Sequence, residues 1–182
     1  MANPEHFAEV LPGAASWNGY IERHRVDGLF IADLEGAALS GADLAAVDLE
    51  FANLRGADLA GTNLQGADLG LAILEATNLE KANLVGAKLF AADLRRSNLR
   101  SANLEGAWVE QAKLHGADLS NATLVRADLE MARLDMTNLS NADLSAALLG
   151  GTYLLTAELT GANLDGAQSD DETVWPPDFV MR

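Results

Sequence analysis

ADLAGTNLQGADL, residues 57–69, sets the rule that most of the chain follows: a small residue, Asp or Asn, Leu, then two variable positions. From Leu29 to Leu164 the centre of this unit returns every fifth residue, and 27 of the 28 centres are Leu, the other being Val109. Two residues before each centre, from Ala32 to Ala162, 21 of 27 positions are Ala. The exceptions, Val47, Thr62, Thr77, Ser97, Thr137 and Thr152, are all small or β-branched. A period this strict decides the fold before any local propensity is consulted. Five is neither the helical nor the plain strand period. Within a unit the Ala and the Leu stand two apart and point the same way from an extended chain, while the Asp or Asn between them points outward. The remaining two residues must turn the chain so that the next Ala and Leu also face inward. Gly fills the fifth position in 11 of 28 units, as a turn requiring positive φ would favour. The implied object is a coil with short sides and a filled interior.

The outward positions carry a second, longer period. When the fifth positions are sorted into four columns, one column reads Ile31, Phe51, Leu71, Ala91, Gln111, Met131, Gly151. Four of these seven are large and apolar, whereas the other three columns contain only Met136 of that kind. A repeat of 20 residues, four units per coil, is therefore present in the sequence itself. It defines four faces, whose centres begin at residues 29, 34, 39 and 44.

These residues, A-(D/N)-L-x-x repeated over about three-quarters of the chain, resemble the signature of the pentapeptide-repeat family. The resemblance implies a right-handed quadrilateral parallel β-helix, an all-β solenoid with four pentapeptides per coil, a hand that parallel crossovers also favour. The 28 centres make about seven coils, a rod roughly 34 Å long at ~4.8 Å per coil. Ser16-Trp17-Asn18 and Thr173-Val174-Trp175-Pro176 also resemble segments that flank such repeats in bacterial proteins.

Residues 1–28 break the pattern and are expected to form a short α-helical cap. Asn3-Pro4-Glu5 reads as a helix start, Pro12-Gly13 as its stop, and a second helix is expected from Ala14 to about Arg25, with Trp17, Tyr20 and Ile21 on one side. A stack of open-ended coils exposes a core cross-section and unpaired strand edges that something must cover. The repeat is then residues 29–167, and 168–182 a capping tail in which Ser169 stands where Leu is due and Val174, Trp175 and Phe179 fold over the last coil.

Composition narrows the function. The net charge is −15, and the body of the repeat holds 19 acids against nine bases. A rod this acidic repels nucleic acid and anionic membrane surfaces. The start of the chain does not read as a secretory signal, and no run approaches the ~18–20 apolar residues of a membrane span. A soluble cytoplasmic protein is the expectation. His6, His24 and His115 are scattered without metal-ligand spacing, the glycines belong to turns, and the ranks of Asp read as solvated turn residues rather than acid–base pairs. No catalytic, cofactor-binding or metal-binding residue is expected, no cofactor, and no small-molecule substrate. Asn63, Asn83 and Asn103 should form an amide ladder.

What remains is surface. The first face carries six acids and one base, and the second five of each, Arg55, Arg95, Arg96, Lys113 and Arg133 being its bases. The third and fourth faces are net −2 and −3. The second-face bases are expected to be balanced by their own acids rather than to bind nucleic acid. The first face is both the most acidic and the most apolar. Its candidate partner-binding residues are Phe30, Ile31, Asp48, Glu50, Phe51, Asp68, Leu71, Phe90, Trp108, Glu110, Asp128, Glu130 and Met131. The reading is a non-catalytic scaffold rod that engages a protein partner, or a second copy of itself, through that face. The family resemblance implies an alternative: some members mimic DNA with an acidic rod, bind DNA gyrase and confer resistance to gyrase-targeting drugs. Those relatives resemble elongated dimers joined through a C-terminal element, often with Phe at the centre and loops interrupting the repeat. This chain has Leu centres, an unbroken repeat and a short Pro-containing tail.

Overall fold

The computed structural model describes residues 1–24, 30–177 and 179. Arg25, Leu29 and the last residues of the tail, on which parts of the cap and repeat boundaries were placed, lie outside the described residues. Every coil closes on the next through parallel bridges between residues 20 apart, from Asp33 with Asn53 to Asp143 with Asn163. The bridging residue is always the one before the centre, so the four faces carry four parallel ladders and the chain is a right-handed quadrilateral β-helix.

One pentapeptide accounts for its own hydrogen bonds. The Leu34 N–H donates to the Asn53 carbonyl at 2.8 Å, Gly36 N–H to the Arg55 carbonyl at 2.9 Å, and Asn53 N–H back to the Ala32 carbonyl at 2.8 Å. The corner is closed by Ala37 N–H donating to the Leu34 carbonyl at 3.0 Å. Where the outward residue is Asp or Asn, it takes the N–H left over, that of the residue after the centre. Asp33 Oδ1 accepts from Glu35 N–H, Asn53 from Arg55, Asp58 from Ala60 and Asn78 from Glu80, all at 3.2–3.3 Å. Asp and Asn are interchangeable in this Asx turn because each offers one oxygen two residues ahead. The residues read from sequence as solvated turn positions thus complete the backbone accounting.

Inside, Ala and Leu are closed off from water: nearly every centre from Leu34 to Leu154 is 0–1% exposed. The Thr residues that replace Ala do not cost an unsatisfied hydroxyl. Thr62, Thr77, Thr137 and Thr152 each donate Oγ1–H at 2.8 Å to the carbonyl of a centre in the coil before, and Ser97 donates to Leu94. The amide ladder comprises Asp43, Asn63 and Asn83, with Nδ2 of Asn63 and Asn83 donating at 2.8 and 3.0 Å; Asn103 instead receives the Glu105 N–H.

The corners are left-handed. Fifteen non-glycine residues there have φ between 53° and 62°, a region that costs about 1–2 kcal/mol for a residue with Cβ. The stacked hydrogen bonds impose the conformation, and glycine only makes it cheaper. Ile31 and Thr156, both β-branched, are the exceptions without positive φ, and Thr156 Oγ1 stands in for the usual carbonyl by accepting the Met136 N–H at 2.9 Å.

Two helices, α1 (Pro4–Val10) and α2 (Ala14–His24), form the cap. Asn3 caps α1 by accepting the Glu5 N–H, with Pro4 in the first turn. The cap replaces the missing strand neighbours group by group. Asn3 N–H donates to the Asp33 carbonyl and Asp33 N–H to His6 Nδ1, both at 2.9 Å. Asn18 Oδ1 accepts the Asp48 N–H at 2.8 Å, and Trp17 Nε1–H donates to the Asp48 carbonyl. At the other end the pairing runs past Ala167: Gln168 bridges Leu148, and Val174 bridges Tyr153 with one extra residue in the coil. The Asp170 carboxylate takes up the slack by accepting from Gly151 N–H, Glu172 N–H and the Thr173 hydroxyl. Trp175 packs on the core and stacks on Phe179 at 4.9 Å.

Candidate interaction face

Because the backbone treats all four faces alike, their differences lie in the outward side chains. Eight large apolar side chains of the repeat are exposed: Ile31, Leu71, Ile73, Phe90, Trp108, Met131, Met136 and Leu155. The first face and its corner supply five of them, led by Ile31 and Met131 at 58% and Trp108 at 56% exposed. The other three belong to the second face and its far corner, and among the described residues the third and fourth faces supply none. The column of Phe51, Leu71 and Met131 occupies the corner that the first and second faces share, so the apolar surface is centred on an edge of the rod. Phe51 is half-buried there.

Phe30 corrects the sequence reading. It does not join the exposed face but turns into the cap, edge-on to His6, Trp17 and Tyr20 with ring centres 5.1–5.9 Å away. A column assignment cannot show this, since it follows from where α2 lies over the first coil. Asp48 likewise has its backbone bound by α2. Leu148, on the same face, is half-buried beside Gln168. Ile73, Met136 and Leu155 carry the opposite lesson. They stand in three different columns of the second face, so no single column signalled them.

The first-face acids are poorly neutralised. Lys88 Nζ lies 2.9 Å from Asp68, and Asp68 and Asp48 hold the lysine pKa up. Among the described residues Glu50, Glu110, Asp128 and Glu130 form no ion pair with a base. Partial burial, then the charges of Asp128 and Glu130, push the Glu110 carboxyl up. On the second face a shallow groove is lined by Arg95, Lys113, His115, Arg133 and Asp135. Arg95 grips Asp93 with two hydrogen bonds of 2.6 and 2.7 Å; burial works against that carboxylate, but Arg95 prevails and lowers its pKa. Arg133 sits 4.9 Å over the Tyr153 ring and 3.4 Å from Asp135, while Lys113 has no ion-pair partner among the described residues. Among those residues no group of three His, Cys, Asp or Glu side chains is placed to hold a metal. No helix of the structure is long and apolar enough to cross a membrane.

A coil of four A-(D/N)-L-x-x units with Asx-turned corners defines a class, and the comparisons place the chain in it. The family model for pentapeptide repeats matches eight copies, over residues 32–70, 71–106, 109–135 and 137–168. The chain belongs to the pentapeptide-repeat family. It is 37% identical to HetL, a pentapeptide-repeat protein involved in heterocyst differentiation regulation in the cyanobacterium Nostoc sp. PCC 7120, over 75% of this chain and 71% of that one, with a TM-score of 0.46. It is also 37% identical to Rfr23 from the cyanobacterium Cyanothece 51142, over 54% of this chain and 63% of that one, with a TM-score of 0.41. QnrB1, a plasmid-mediated fluoroquinolone resistance protein, is 17% identical over 76% of this chain and 89% of its own, with a TM-score of 0.31. No curated protein sequence matches the chain.

Proposed function

We propose that this protein is a non-catalytic interaction rod whose acidic and apolar first face receives a protein partner bearing basic and apolar side chains. The observation that carries the reading is the confinement of the repeat's exposed large apolar side chains, among the described residues, to the first and second faces and their corners. Aligned apolar surface among charges is what interaction sites present and what isolated surface hydrophobes do not. The backbone ladder gives no reason for the asymmetry, because it runs alike on every face; Ile73 and Trp108 stand at outward positions where other rungs carry an Asx acceptor. The four unpaired acids add electrostatic selection for a basic partner.

The acidic charge alone does not favour a DNA mimic. Each outward Asp serves an Asx turn that Asn serves equally well, so much of the charge has a structural origin, and the likeness to QnrB1 extends to the fold alone.

The test is site-specific photocrosslinking in cells, with a benzophenone side chain at position 90 or 108 on the first face and at 85 or 125 on the fourth. Protein adducts are expected from 90 and 108 only. Equal labelling of the two faces, or none from the first, would contradict the reading. A DNA supercoiling assay with purified gyrase is expected to show no inhibition; inhibition or drug protection would promote the DNA-mimic alternative instead.

A further inference from the structure

The geometry points to a specific occupant for that face: the second face of another copy of this chain, in a closed ring of four parallel rods. The inference rests on the proposed interaction face and names its partner. A two-fold dimer through the first face alone would set six acids and one base against the same charges, which like-charge repulsion opposes. The second face is net neutral and offers the better partner. Its Arg95, Lys113 and Arg133 stand on three successive rungs; Arg95 pairs with Asp93 and Arg133 with Asp135 on the same face, and Lys113 has no ion-pair partner among the described residues. On the first face Glu110, Asp128 and Glu130 stand on successive rungs too, also without a base.

Pitch selects the partner further. Charges on each face recur at one coil, ~4.8 Å, the spacing between paired strands. A second copy carries its charges at the same spacing, so Asp48 and Glu50 come level with Arg55, Glu110 with Lys113, and Asp128 and Glu130 with Arg133. Each face also brings exposed apolar side chains, Trp108 and Phe90 from the first and Ile73 and Leu155 from the second.

Closure follows from the square section. The contact is heterologous, since two different faces meet, and such contacts either close or run on as filaments. The two faces are neighbours around the rod, so each added copy turns by a quarter and the fourth meets the first. In that arrangement the shared corner with Phe51, Leu71 and Met131 points to the central axis, and the third and fourth faces, which expose no large apolar side chain among the described residues, face water.

The test is the mass in solution by sedimentation equilibrium at low ionic strength, with two charge-reversed variants: Lys113→Glu with Arg133→Glu, and Glu110→Lys with Glu130→Lys. The wild type is expected at about four times the 19.2 kDa chain. Each variant alone is expected as a monomer, and an equimolar mixture is expected to regain the four-chain mass, because an alternating ring again sets acid against base at every contact. Should either reversal fail to fold, the neutral pair Lys113→Gln with Arg133→Gln is expected to weaken assembly at least tenfold. A monomeric or two-chain wild type, variants that keep the four-chain mass, or a mixture that stays monomeric would each overturn the ring. A monomeric wild type that still gives first-face crosslinks to another protein would overturn the ring and leave the interaction face standing, whereas loss of both would remove the two together.

Discussion

The first and second faces of the rod, set against the third and fourth, share the same parallel backbone ladder and differ in what they show to water. Asn78 on the third face and Asp68 on the first both accept the N–H two residues ahead, and both sit on a 20-residue ladder. Yet one pair of faces displays Trp108, Phe90 and Met131 and the other displays Ser101, Asn121 and Asn141. The ladder places the same demand on all four sides, while on the first two faces Ile73, Lys88, Trp108, Lys113, Arg133 and Tyr153 stand where an Asx acceptor stands elsewhere, so what they show to water is free to serve recognition.

The largest expected effect removes the comparison altogether. Leu84 is fully buried at mid-stack, and Leu84→Asp should cost at least ~4–5 kcal/mol and abolish cooperative thermal unfolding. A soluble variant with an unchanged melting temperature would mean the centres do not face inward. Next, Phe90→Ser with Trp108→Ser should leave stability within ~0.5 kcal/mol, as exposed substitutions do, but abolish first-face crosslinking. Val85→Ser with Val125→Ser on the fourth face should change neither. If both pairs behave alike, the faces do not differ in function.

Smaller effects should be blind to the face. Asn78→Ala and Asp128→Ala each remove an Asx acceptor, and each should cost about 1 kcal/mol in urea unfolding. A first-face acid that can be removed at no cost would have no structural role, which would make its charge the part that was selected.

The smallest effect is a pH dependence of opposite sign on the two adjoining faces. Glu110 titrates above its ordinary 4.5 when folded, so the unfolded chain gives up that proton first and stability falls as pH rises through the window above 4.5. Glu110→Gln should abolish that loss. Asp93 titrates below its ordinary 3.8, so its contribution is complete above 3.8 and is lost as pH falls through the folded value. Urea unfolding from pH 3 to 7 of the wild type, Glu110→Gln and Asp93→Asn separates the two; parallel curves would contradict both assignments.

The sequence made the inward half of the molecule legible. Leu every fifth residue and Ala two before it leave one way to fill a coil, and the fifth-position column gives its length. The helices were readable from Asn3-Pro4 and Pro12-Gly13 because capping is local. Three features were not readable. Phe30 belongs to the cap, because its neighbours come from helices whose placement over the first coil no period encodes. Ile73 and Leu155 escaped a search confined to fifth-position columns, and Met136, seen there as a single residue, joined no column, since their surface forms only when adjacent faces meet at a corner. Gln168 keeps the count but is followed by Ser169 where Leu is due, and Val174 hid its pairing because one inserted residue breaks the count of five while leaving the ladder intact.

Hydroxyl-radical footprinting of the wild-type protein at working concentration tests the central claim most directly. If the first two faces are the recognition surface, Phe90, Trp108 and Met131, with Tyr153 and Met136 of the second face, should oxidise far more slowly than their exposure in a lone rod allows, and dilution should restore the rate. Oxidation that follows single-rod exposure on all four faces, at every concentration and with cell extract present, would contradict it.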